Sequence, residues 1–160
     1  FDAWALSVTW PDLAAEPVDV DVVAFVVDAD EQVRVDEDFV FYNQPAHPIG
    51  AVDLEVDTAN EALAVIRPAM LPPQQRRIVI AAAIDGERTF GDVGPIELAL
   101  RTAEGRLVAR STLDAATTER SMILAALYER AGTWRFRAVG QGYDTGLERL
   151  AVQHGVDIED

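Results

Sequence analysis

Apolar and polar residues alternate along most of this 160-residue chain with the period of strands rather than helices. Trp4, Leu6, Val8 and Trp10 share one side of a strand within Phe1–Trp10, which Pro11 and Pro17 separate from the next run. In that next run Val20, Val22, Ala24 and Val26 face one way, while Asp19, Asp21, Val23, Phe25 and Val27 face the other. A strand apolar on both sides is expected to be buried on both. Phe39, Phe41 and Asn43 share a side in a third run, with Val40 and Tyr42 opposite. A turn near Asp28 to Glu31 would close these two runs as a hairpin in which residue numbers sum to about 62. That register sets Asp19 opposite Asn43.

Further along, Val52, Leu54 and Val56 alternate with Asp53, Glu55 and Asp57, as in a strand with one wet face. Leu63–Ile66 and the run IVIAAAI at Ile78–Ile84 read as short strands, the second flanked upstream by Pro72 and Pro73. Ile96–Arg101 and Leu107–Leu113 flank the turn Ala103-Glu104-Gly105. Thr117–Arg130 admits both a capped helix and a strand, but the Ala131-Gly132 turn and the alternation of Trp134, Phe136 and Ala138 after it favour a hairpin. Leu147, Leu150 and Ala151 stand at helical spacing before Gly155 and predict a terminal helix over Leu147–His154. The sum is an all-β domain, a two-sheet antiparallel β-sandwich with a short C-terminal helix.

The length suits one domain spanning residues 1–160, able to bury about 70% of the surface its unfolded form exposes. Without cysteine there are no disulfides, thiolate metal sites or thiol nucleophiles. Apolar runs fall short of the roughly 18 residues a membrane span needs, so the expected location is cytoplasmic with no membrane insertion. A net charge of −15 repels nucleic acid and anionic lipid, and makes cations or basic proteins the natural partners. All thirteen basic residues are arginine, which removes Schiff-base and P-loop lysine chemistry.

Catalytic motifs are scarce. Ser7, Ser111 and Ser121 lack a nucleophile elbow, His47 reads as an exposed loop residue, and Gly140-Gln141-Gly142 has the wrong spacing for a phosphate loop. The glycines read instead as close backbone approaches. Asp28, Asp30 and Gln32 start like an EF-hand loop, but Val33 and Phe39 stand where its glycine and final glutamate belong. The predicted hairpin gathers Asp19, Asp21 and Asn43 at one end, oxygen ligands that suit a hard cation such as calcium. Spacing alone equally describes a charged, solvated sheet rim.

The runs VRVDEDFVFYN and TWRFRAVGQGY, with Trp10, Asp19, Asp21, Phe90-Gly91, Glu119, Met122 and the terminal GLERLAVQHGV, resemble the TerD-type tellurium-resistance and stress-protein family. The resemblance spans most of the chain, although the strand that usually precedes the first tryptophan is shortened or absent. A chain starting at Phe1 also fits a piece excised from a longer one. The resemblance implies a calcium-binding sandwich with no catalytic activity. Asp19 and Asp21 match the family's paired aspartates, Asn43 the end of its FYN motif, and Asp57 and Glu61 the two ends of its acidic loop. Ile49-Gly50-Ala51-Val52 stands where the family carries Asp-Gly-Ser-Val, and the acidic loop is cut to Asp57-Thr58-Ala59-Asn60-Glu61. Calcium needs about six to eight oxygens, so these departures predict one weak site or none.

Three functions follow. One is a calcium-responsive stress module using Asp19, Asp21, Asn43, Asp57 and Glu61. Another is a metal-free scaffold whose acidic surface docks a basic protein partner. The third, an acid/base hydrolase, would require two carboxylates with raised pKa values in a concave pocket.

Overall fold

The computed structural model describes residues 3–11, 18–42, 44–58, 60–84, 86–114 and 116–157, with the side chains of 56–58 excepted. Ten strands form two antiparallel sheets of five. The first sheet contains β1 (Trp4–Thr9), β4 (Val52–Thr58), β5 (Glu61–Ile66), β7 (Ile96–Thr102) and β8 (Leu107–Leu113), in the order β4-β5-β1-β7-β8. The second contains β2 (Val20–Val27), β3 (Phe39–Val40), β6 (Arg77–Ile84), β9 (Ser121–Arg130) and β10 (Thr133–Tyr143), in the order β10-β9-β6-β2-β3. The expected two-sheet sandwich is therefore what forms.

Its main core lies between the sheets. Leu6, Val8, Ile66, Leu98 and Leu100 of the first sheet meet Ala24, Val26, Ile80, Leu124 and Leu127 of the second. The outer face of the second sheet is also covered. There Val23, Phe25, Val27, Val79, Ala81 and Ile123 pack against Leu150 and Ala151 of helix α2 (Leu147–Gln153). This explains why β2, β6 and β9 are apolar on both sides, a pattern that only two-sided burial rewards. The same burial settles Thr117–Arg130 as a strand, because Ser121–Leu127 is buried without interruption. Tertiary packing overrides the helix propensity of its Ala and Leu.

Two sequence expectations are altered by the structure. The connection from β2 to β3 is not a tight hairpin: after the turn at Asp28, the chain runs through a 3-10 turn at Asp36–Asp38. The register is Ala24↔Val40 and Phe25↔Phe39, so residue numbers sum to 64, and pairing stops there because Phe41 bridges Gln44 instead. Between β6 and β7 the chain carries a single helical turn, α1 (Phe90–Val93), that buries Phe90 and Val93. Among the described residues no helix is long and apolar enough to cross a membrane.

Candidate functional site: an acidic groove beside the C-terminal helix

On the outer face of the second sheet, α2 and the segment around β3 stand apart and leave an open groove of about 1450 Å³. Its apolar lining includes Phe39, Phe41, Ala83, Leu147, Ala151 and Val156. Six carboxylates, from Asp19, Asp21, Asp36, Glu37, Glu148 and Asp157, line it as well. Against them, among the described residues, stand two guanidiniums, Arg120 and Arg149. The surplus of negative charge makes the groove a local focus of the −15 net charge.

Each wall is positioned by identifiable interactions. The 3-10 turn that carries Asp36 and Glu37 is held by Asp38, which is 1% exposed despite its charge. Burial pushes the Asp38 carboxyl up, but hydrogen bonds from His47, Gln75 and the backbone amides of Val35 and Arg34 outweigh it and hold the pKa below its ordinary value. His47 Nδ1 accepts from the Ile49 amide at 3.3 Å, which assigns the ring proton to Nε2 and its 2.8 Å bond to Asp38 Oδ1. Gln75 Nε2 donates to Asp38 Oδ2 at 2.7 Å and to the Val26 carbonyl at 3.1 Å. His47 is therefore a buried structural residue, not an exposed loop residue. Its flanking prolines set the loop direction, while the Asp38 carboxylate it satisfies lies inside.

The opposite wall is fixed through aromatic rings. His154 stacks on Phe25 at 4.4 Å between centroids, Phe25 on Phe39 at 4.9 Å, and Phe39 on Phe41 at 4.4 Å, with planes within 12° of parallel. Tyr42 then meets Phe41 edge-on at 5.3 Å and is 68% exposed at the groove. The His154 carbonyl accepts from Val33 N at 2.8 Å, and the Gln153 carbonyl accepts from Gln32 Nε2 at 2.9 Å. These bonds tie the end of α2 to the loop that leads to the acidic turn. Asp157 N closes the ring by donating to Asp36 Oδ1 at 2.9 Å.

Of the five residues expected to share a cation, Asp19 and Asp21 line the groove together. They are two apart on one face of the strand that Asp19 leads into. Glu61 opens β5 in the other sheet, paired with Thr9, and does not line the groove. Asn43 and the side chain of Asp57 lie outside the described residues. Among the described residues no three His, Asp or Glu side chains converge as a metal-holding group. Sequence reasoning did not single out Asp36, Glu37, Glu148 or Asp157. Asp36 and Glu37 sit within a motif that was noticed, and Glu148 beside the apolar stripe of a recognised helix, but the abundance of carboxylates hid them.

A TerD domain family model matches residues 3–154. The chain belongs to the TerD family. Tellurium resistance protein TerD of Serratia marcescens is 32% identical over 151 residues, covering 87% of this chain and 79% of that protein. General stress protein 16U of Bacillus subtilis (strain 168) is 27% identical over 153 residues, covering 88% and 79%. The crystal structure of a homologue of telluride resistance protein (TerD) from Streptomyces coelicolor A3(2) superimposes with a TM-score of 0.72 at 17% identity, covering 96% of this chain and 98% of that one. That likeness concerns the fold. The sandwich with an α2-covered face is thus the TerD architecture, and the groove lies on it.

Proposed function

We propose that this TerD-family chain is a non-catalytic stress-response module whose groove recognises cationic groups on a protein partner. One observation carries the reading: among the described residues, six carboxylates against two guanidiniums around an apolar lining. Such a surface attracts basic partners over distance and gives them apolar contact on arrival.

Calcium at the same end of the groove is a second reading, favoured by the side-by-side placement of Asp19 and Asp21. The described residues offer two carboxylates there, and Ile49 and Ala51 supply no side-chain oxygen. A full shell of about six to eight oxygens would need Asn43, Asp57 and water, so the expected affinity is weak, in the millimolar range of less charged sites.

Calorimetric titration of chelator-treated protein with calcium, with magnesium as control and Asp21→Ala alongside, separates the readings. Saturable calcium heat lost in the variant makes the cation the ligand. Absence of heat from folded protein, with salt-sensitive and chelator-indifferent binding of a basic partner, supports the scaffold reading.

A further inference from the structure

The outer face of the second sheet is charged unequally from edge to edge. Antiparallel partners share a face, and the register sets Arg137, Ala126, Val79, Phe25 and Phe39 in one row across its five strands. The acidic groove lies at the β3 end of that row. At the β10 end Arg135 and Arg137 are exposed, as is Arg130, which the β9–β10 turn sets opposite Thr133. Tyr128, the partner of Arg135 in the ladder, and Val139 add hydrocarbon to the same strip. Arg67, Arg76 and Arg77 each meet a carboxylate, but among the described residues Arg130, Arg135 and Arg137 meet none. Four strand spacings of about 4.8 Å, about 19 Å in all, separate β10 from β3. An arginine side chain is far shorter, so the strip does not reach the groove of its own chain.

We propose that the groove takes the β10 arginine strip of a second copy, so that this chain assembles head to tail. The inference rests on the cation-recognition reading of the groove and names the partner. Complementarity carries it. The groove joins surplus carboxylate to apolar lining, and the strip joins unpaired guanidinium to hydrocarbon. Tyr42, 68% exposed at the groove, offers a ring on which a guanidinium stacks. Two copies meeting strip to strip or groove to groove would instead set like charges together. The contact is therefore heterologous: each added copy presents a free groove or a free strip, and growth continues unless the rotation closes a ring. The net charge of −15 opposes approach at long range, but at about 0.15 M salt the screening length is about 8 Å, and opposite charges in contact outweigh it.

The test is sedimentation velocity at about 0.15 M salt, with protein raised to about 1 mM, the range of weak association. One variant reverses the strip by Arg135→Glu with Arg137→Glu, and another reverses the groove by Glu37→Arg with Glu148→Arg, all four at exposed positions. A control, Arg106→Glu with Arg110→Glu on the first sheet, changes the net charge as much as the strip variant does. Wild type and control are expected to associate with rising concentration, and each reversed variant alone to associate about tenfold or more weakly. Mixing the two variants restores association, because the acidic groove of the strip variant meets the intact strip of the groove variant. A wild type that stays monomeric overturns the proposal, as does a mixture that fails to associate or a control weakened as much as the strip variant. Calorimetry with a short peptide of alternating arginine and valine separates the two readings. Salt-weakened peptide binding to a monomeric wild type keeps the groove as a cation-binding surface and overturns self-assembly alone, whereas absence of both overturns the groove reading as well.

Discussion

His47 Nε2 donates to Asp38 Oδ1 at 2.8 Å in a pair whose side chains are 3% and 1% exposed. Asp38 also accepts from Gln75 and from two backbone amides, so one buried carboxylate satisfies four donors. Removing its charge without removing the donors leaves them facing an amide that cannot accept as many bonds. Asp38→Asn is expected to cost about 2–4 kcal/mol in urea unfolding at neutral pH. The folded pKa of Asp38 lies below its unfolded value of about 3.9, so its contribution is complete above about pH 5 and is lost as pH falls below 4 toward the depressed value. Wild-type stability should therefore decline in that acid range, and the variant should decline less. A variant as stable as wild type at pH 7 would contradict the network's role.

The His154–Phe25 stack makes a separate prediction about helix α2. His154 Nδ1 bonds the Leu150 carbonyl at 2.9 Å, so the imidazole joins the helix end to the aromatic row on the sheet. His154→Ala should destabilise the fold by about 1–2 kcal/mol. Its distinguishing sign is local: amide exchange should quicken at Leu150, His154 and Val33 more than at β6. Uniform quickening across both sheets would mean that the ring acts only through global stability.

The sandwich was legible in the sequence because nearly every strand carries a period-2 signature, and β2, β6 and β9 carry the doubly apolar variant that announces two covered faces. The terminal helix was legible from Leu147, Leu150 and Ala151. The β2–β3 connection was misjudged because alternation in Phe39, Phe41 and Asn43 continues past the point where pairing stops; the bridge from Phe41 to Gln44 is a backbone event that no side-chain pattern reports. His47 was misjudged for a related reason. Its burial depends on Asp38 and Gln75, residues 9 and 28 positions away, and a polar network assembled from loops leaves no periodic trace. The groove itself was half visible, through Asp19 and Asp21. Its other carboxylates come from segments brought together only when α2 docks.

Glycine positions test packing independently of the groove. A Cβ on Gly91 would collide with the backbone carbonyl of Thr117, which already accepts the Gly91 amide. A Cβ on Gly142 would meet the Glu119 side chain, whose carboxylate is fixed by a 2.6 Å bond from the Thr117 amide. Backbone yields less readily than a side chain. Gly91→Ala is therefore expected to lose about 2–3 kcal/mol and Gly142→Ala about 1–2 kcal/mol in thermal or urea unfolding. The reverse order would show that Glu119 is the more rigid neighbour.

Concentrated negative charge in the groove predicts a salt response of the protein alone. The lining carboxylates outnumber its guanidiniums, and their mutual repulsion destabilises the compact state until counter-ions screen it. Raising sodium chloride from about 0.05 M to about 0.5 M shortens the screening length from above 10 Å to a few ångströms. Melting temperature should therefore rise with salt. Asp19→Asn removes one contributor at an exposed position, and should give a protein slightly more stable at low salt, by up to about 0.5 kcal/mol, with a smaller salt increment. If salt lowers the melting temperature instead, ion pairs such as Arg67–Asp53 and Arg76–Glu129 dominate the surface electrostatics, and the groove carries no stored repulsion for a cationic partner to relieve.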